Sequence, residues 1–145
     1  MKPNHKRFPT LLLALLLLAM SIAVPLKKAR AAITYNNTAS ATLNCSVSSG
    51  GQLSAKLNVT GFNGTTSRIS VELYVEKRVL LVFWSRVDIG CPNNVWTDAV
   101  NSYKYSNTFT TNLSSTGTYR VTVTYTVSGS GGADDVITKT QTVTY

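Results

Sequence analysis

From Thr118 onward the chain alternates without a break: Tyr119, Val121, Val123, Tyr125 and Val127 are interleaved with Arg120, Thr122, Thr124 and Thr126. A period of two sends successive side chains to opposite faces of an extended backbone, so this stretch is a strand with one dry side and one wet side. The preceding residues, 112–117, are turn chemistry. The spacing from Leu113 through Gly117 to Tyr119 is that of a tyrosine corner, in which a Tyr at the start of the penultimate strand bonds back to the loop before it.

The same period recurs upstream. Ala41, Leu43, Cys45 and Val47 share one face, and Ser48-Ser49-Gly50-Gly51 is a turn signal. Leu53, Ala55, Leu57 and Val59 point inward from a strand over 52–60, which pairs with the first as a hairpin. Ile69, Val71, Leu73 and Val75 do the same over 68–77, with Ser70, Glu72, Tyr74 and Glu76 facing water. A short strand is expected over 103–109, and 136–145 closes the sheet after a glycine-rich tip. No window beyond the first 31 residues holds apolar residues at helical spacing for three turns. About seven strands separated by turn signals predict an all-β, antiparallel, immunoglobulin-like (fibronectin-III-like) β-sandwich.

One stretch breaks the pattern. In residues 79–89, VLLVFWSRVDI, apolar residues run in succession. As a strand it is greasy on both faces, with Val79, Leu81, Phe83, Val87 and Ile89 on one and Leu80, Val82 and Trp84 on the other. Two readings follow: a strand near the sheet edge whose second face is covered by the next loop, with Trp96 lying over it, or an exposed apolar edge used for self-association or a partner. The candidate interaction surface is therefore Leu80, Val82, Trp84 and Trp96.

The first 31 residues read as an export signal. Lys2, His5, Lys6 and Arg7 form a basic start, residues 11–24 are an apolar core, and Ala29-Arg30-Ala31 offers the small residues that signal peptidase reads, with cleavage after Ala31. That core falls short of the roughly 20 residues of a membrane span, so no stable span is expected after cleavage. Residues 32–145 then form one domain, secreted or held at the cell envelope. Of the 14 basic residues six lie in the leader, leaving eight against six acidic ones. The high isoelectric point belongs mostly to the address. Nucleic-acid binding would need a clustered basic face, and the nearest cluster, Lys77-Arg78 with Arg86, reads as a solvated turn.

Cys45 and Cys91 form an even pair in an exported chain, which points to one disulfide; closing that loop would restrict the unfolded chain by about 4 kcal/mol. The alternative is two unpaired thiols buried as small apolar residues. Tyr119 is followed two positions later by Val121, not cysteine, so an antibody-type bridge is excluded.

Most of residues 35–145 resembles a family of small secreted proteins of Gram-positive, clostridial-type bacteria, without assigned function. The resemblance rests on YNNTAS near the mature start, on GTTSRISVELYVEK with Ile69, Leu73 and Lys77, on GTYRVTVTYTV with Gly117, Tyr119 and Arg120, and on the terminal TVTY. It implies an immunoglobulin- or fibronectin-III-like sandwich and an extracellular location. It brings no catalytic residue. The chain departs from this family over 79–84, where relatives place a polar, glycine-containing turn before a tryptophan.

The single histidine, His5, leaves with the leader, so histidine-activated nucleophiles and imidazole zinc sites are not expected. Glu72 and Glu76 share a strand face about 13 Å apart, too far for a glycosidase pair, and read as solvated charges. Asp134-Asp135 offers too few oxygens for calcium. The expectation is a protein with no catalytic residues, metal or cofactor. Two readings remain: a secreted interaction module that meets another protein, itself or the envelope, and a carbohydrate-binding module that would use Tyr74, Trp84, Trp96, Tyr103 and Tyr105 as an aromatic platform.

Overall fold

The computed structural model describes residues 34–145; the expected leader lies outside the described residues. Eight strands follow in order: β1 (Thr38–Val47), β2 (Gln52–Gly61), β3 (Thr66–Val79), β4 (Phe83–Arg86), β5 (Trp96–Val100), β6 (Lys104–Asn112), β7 (Thr118–Gly129) and β8 (Asp135–Thr144). One sheet has the order β1-β2-β6, the other β4-β3-β7-β8, with β5 also paired to β3. All pairings are antiparallel. With β2 flanked by β1 and β6, and β7 flanked by β3 and β8, this is the strand order of an immunoglobulin-like sandwich.

The alternation predicts the core correctly. Leu53, Leu57 and Val59 of β2, Ile69, Val71, Leu73 and Val75 of β3, and Tyr119, Val121, Val123, Tyr125 and Val127 of β7 are all at most 1% exposed. These inward rows meet between the sheets, where burial stabilises each large side chain by about 1.5–3 kcal/mol. Tyr125 also ties the layers together, since its hydroxyl donates to the Thr42 carbonyl of β1 at 2.8 Å. At the other end of β7 the Tyr119 hydroxyl donates to the Ser115 carbonyl at 2.5 Å, the backward bond of a tyrosine corner. Lys77 packs beside this corner: its Nζ donates to Ser115 Oγ at 2.6 Å. Gly117, at φ 147°, leaves the space that the Lys77 side chain fills, because a Cβ there would come within 2.8 Å of Lys77 Cε. Lys77, Gly117 and Tyr119 thus form one packed cluster.

The first residues of the domain are fastened by a buried carboxylate. Asp135 Oδ1 accepts the Asn36 N–H at 2.9 Å, and Oδ2 accepts the Asn37 N–H at 2.7 Å and the Thr38 hydroxyl at 2.9 Å. Asn37, fully buried, donates through Nδ2 to the Ala133 carbonyl at 3.1 Å and accepts the Gly131 N–H at 3.1 Å. The YNNTAS segment and the glycine-rich β7–β8 loop therefore form one hydrogen-bonded clamp. Asp135 belongs to it as an acceptor whose oxygens are already occupied.

Three expectations are corrected. Residues 79–89 are not a single strand: the chain reverses at 80–82, and β3 pairs with β4 through Val79–Phe83, Arg78–Trp84, Lys77–Ser85 and Glu76–Arg86. The short strand β5, read as loop, pairs with β3 from Ile69 to Leu73, so β4 and β5 share the same border of β3, and β5 raises the strand number among the described residues to eight.

The third correction concerns the expected disulfide. Cys45 and Cys91 are both free. Cys45 lies on β1, the strand that meets β8, whereas Cys91 follows β4, at the opposite border of the second sheet. The width of the sandwich separates them, beyond the ~7 Å Cα limit for a bridge. Burial pushes the Cys45 thiol up to about 11, so little reactive thiolate forms near neutral pH. Unreduced protein unfolded in guanidinium and treated with iodoacetamide is expected to gain two adducts by mass. In the folded protein Cys45 is expected to react far more slowly. A chain that gains none after unfolding would restore the bridge.

Candidate functional site: the apolar hairpin tip

The β3–β4 hairpin ends in five consecutive apolar residues that face solvent. Val79 is 39% exposed, Leu80 84%, Leu81 80%, Val82 71% and Phe83 62%. The backbone turns at Leu80 and Leu81, with φ of 48° and 65°. Left-handed geometry brings Cβ against the following carbonyl at a cost of about 1–2 kcal/mol per residue, and turns of this kind usually use Gly or Asn. The Val82 N–H donates to the Leu80 carbonyl at 2.8 Å across the apex.

Side-chain packing below the apex compensates for that turn. Register places Glu76 of β3 between Arg86 of β4 and Arg120 of β7 on the outer face of the sheet. Arg120 donates to Glu76 Oε2 through Nε at 2.9 Å and Nη2 at 2.7 Å. The Arg120 guanidinium carbon lies 4.3 Å from the Trp84 ring centre, and that of Arg86 lies 3.6 Å from the Tyr74 ring centre. Cation–π contacts contribute about 0.5–1 kcal/mol each at partly exposed sites, so the two stacks and the ion pair together match the cost of two left-handed leucines. Glu76 is thus a partly buried member of a cross-strand lattice and not the freely solvated charge expected.

The four residues of the expected surface are divided. Leu80 and Val82 sit at the tip. Trp84 is one register step below it, half-buried under Arg120. Trp96 belongs elsewhere: it pairs with Leu73 from β5 and packs against Phe109 with ring centres 5.4 Å apart, so it does not cover the apolar stretch. Leu81 and Phe83, assigned to the opposite face of a continuous strand, join the tip because the turn brings both faces to one end.

The five aromatics of the expected platform are spread over β3, β4, β5, β6 and the residue before β6, each with a partner of its own. Tyr74 and Trp84 are stacked under arginines and Trp96 against Phe109. Lys104 Nζ lies 5.2 Å from the Tyr103 ring centre. Tyr105 is buried, and its hydroxyl donates to Asp98 Oδ2 at 2.8 Å. Burial, and then the Asp98 bond, raise the Tyr105 hydroxyl above the usual phenol range. Hydrogen bonds from Asn107 and Tyr105 hold Asp98 below the usual carboxylate range.

An open groove of about 300 Å³ lies over the paired strands β3 and β5, lined by Arg68, Ser70, Glu72, Thr97 and Asp98. Asp98 is engaged by Tyr105, Asn107 and the Ala99 N–H, and Arg68 Nη1 donates to Asn101 Oδ1 at 3.0 Å. Two of the charged groups of the groove, Asp98 and Arg68, are thus already engaged within the protein. Among the described residues, no three His, Cys, Asp or Glu converge as a metal site, and every buried side-chain polar atom has a partner.

Compared with known proteins, the chain matches no family model and no curated protein.

Proposed function

We propose that this protein is a non-catalytic binding module, exported by its first 31 residues, whose contact site is the apolar tip of the β3–β4 hairpin. One observation carries the reading: five of the seven large apolar side chains exposed among the described residues, all but Phe62 and Val136, are gathered on one turn built from residues that favour neither exposure nor left-handed backbone. Contiguous apolar surface of this kind marks interaction sites. The rest of the sandwich is a scaffold that holds the hairpin rigid, through the Arg120–Glu76 pair and the two aromatic stacks.

The test places an environment-sensitive fluorophore on Leu81→Cys, with Cys45→Ser and Cys91→Ser leaving a single thiol. Emission is expected to shift to the blue when bacterial envelope material is added, as the tip leaves water. A spectrum that is the same in buffer, in concentrated unlabelled protein and in envelope fractions containing protein, glycan and lipid would overturn the reading.

A further inference from the structure

We infer that the occupant of the tip is an anionic lipid surface, an assignment that rests on the binding-module reading above. The hairpin is graded along its length. Glu76 stands opposite Arg86, then Lys77 opposite Ser85, then Arg78 opposite Trp84, then Val79 opposite Phe83, with Leu80, Leu81 and Val82 at the apex. One register step, the Val79–Phe83 pair, and the turn 80–82 lie beyond the Arg78–Trp84 level, together roughly 5–7 Å with a strand rise of roughly 3.3 Å. That is close to the depth to which interfacial elements bury their apolar side in a bilayer, about 5–10 Å. An apolar end, a tryptophan at its base and cations at the same level and below follow the order in which membrane interfaces are anchored.

Charge and polarity agree. From 77 to 87 the chain carries Lys77, Arg78 and Arg86 and no acid. The neighbouring Glu76 is held by Arg120 at 2.7 Å, and Asp88, beyond Arg86, accepts the Gly90 N–H at 2.9 Å. The collar is therefore net positive, which suits anionic headgroups. No polar side chain in 79–83 has to be stripped of water on entry.

A second copy of the chain fits less well. Symmetric tip-to-tip pairing would bring like collars together, and five side chains on a convex turn fall short of the ~800 Å² per partner of a stable interface.

The assay is co-sedimentation of residues 34–145, which contain every strand and the whole core described above, with vesicles of equal parts phosphatidylglycerol and phosphatidylcholine or of phosphatidylcholine alone. The protein is expected to sediment with the mixed vesicles, to do so less with phosphatidylcholine alone, and to be released by raised salt. Leu81→Ser and Phe83→Ser are each expected to weaken association about tenfold or more, and Arg78→Gln about fivefold. The circular-dichroism melt of Leu81→Ser should match the parent, since Leu81 is 80% exposed. Absence from both vesicle pellets would overturn the lipid assignment, as would sedimentation that ignores the Leu81 and Phe83 changes. If the position-81 fluorophore then responds to an envelope protein fraction, the module reading survives alone; if it responds to nothing, both fall.

Discussion

Asp135→Ala is expected to destabilise the domain by about 3–5 kcal/mol, lowering its melting temperature by about 10–20 °C. The carboxylate accepts two backbone N–H groups and the Thr38 hydroxyl, and is 6% exposed. Alanine would leave these donors facing one another with little access to water, and unsatisfied buried donors cost about 1–3 kcal/mol each. The loss would spread, because the segment released is the one on which Asn37 holds the β7–β8 loop. Asp135→Asn keeps the shape but turns one acceptor into a donor opposite donors, so it is expected to be damaging too. Thermal unfolding of the two variants beside the parent checks this, and a change under about 1 kcal/mol in both would show that the clamp carries little of the stability.

The same carboxylate makes a pH-dependent contribution. Burial raises its pKa, but the Asn36 and Asn37 amides and the Thr38 groups outweigh it, leaving Asp135 below the usual carboxylate value. A group depressed on folding contributes stability that is fully present above its unfolded pKa, about 4, and is lost as pH falls through its folded pKa. The parent is therefore expected to lose stability on acidification below about pH 4. Asp135→Asn should show a shallower loss, with Asp98, depressed in the same direction, supplying part of what remains.

How legible the fold was depended on whether local pattern and long-range pairing agreed. In β2, β3 and β7 every buried apolar side chain followed from period-two alternation, because both faces of those strands have fixed environments. The tip broke the rule. Leu80 and Leu81 carry no turn signal, and only the cross-strand lattice of Arg86, Glu76, Arg120 and Trp84 places a reversal there. A single pattern read along the chain contains none of those partners.

The disulfide expectation failed for a related reason. Cysteine number reports compartment and parity, while bridging depends on which borders of the sandwich the two residues occupy. Asp135 was hidden because its partners lie about a hundred positions away, as Asn36, Asn37 and Thr38.

Replacing the two apex residues together, Leu80→Asn with Leu81→Gly, is expected to raise stability by about 1–3 kcal/mol while removing association with anionic vesicles. Both leucines lie in the left-handed region, at φ 48° and 65°, and both are at least 80% exposed, so the change relieves strain without emptying a packed site. Asn and Gly adopt this conformation at little cost. Glycine gives back about 0.5–1 kcal/mol through the freedom it adds to the unfolded chain. The melting temperature should rise by several degrees. A sequence selected for stability alone would hold the cheaper turn, whereas strain kept at an exposed site belongs with function. Calorimetry and vesicle co-sedimentation on one preparation separate the possibilities. A higher melting temperature with lost association ties the strained leucines to docking, and a higher melting temperature with association unchanged would show that the apex is not what enters the lipid. A melting temperature that falls would mean the leucines stabilise the turn through contacts that their exposure does not reveal.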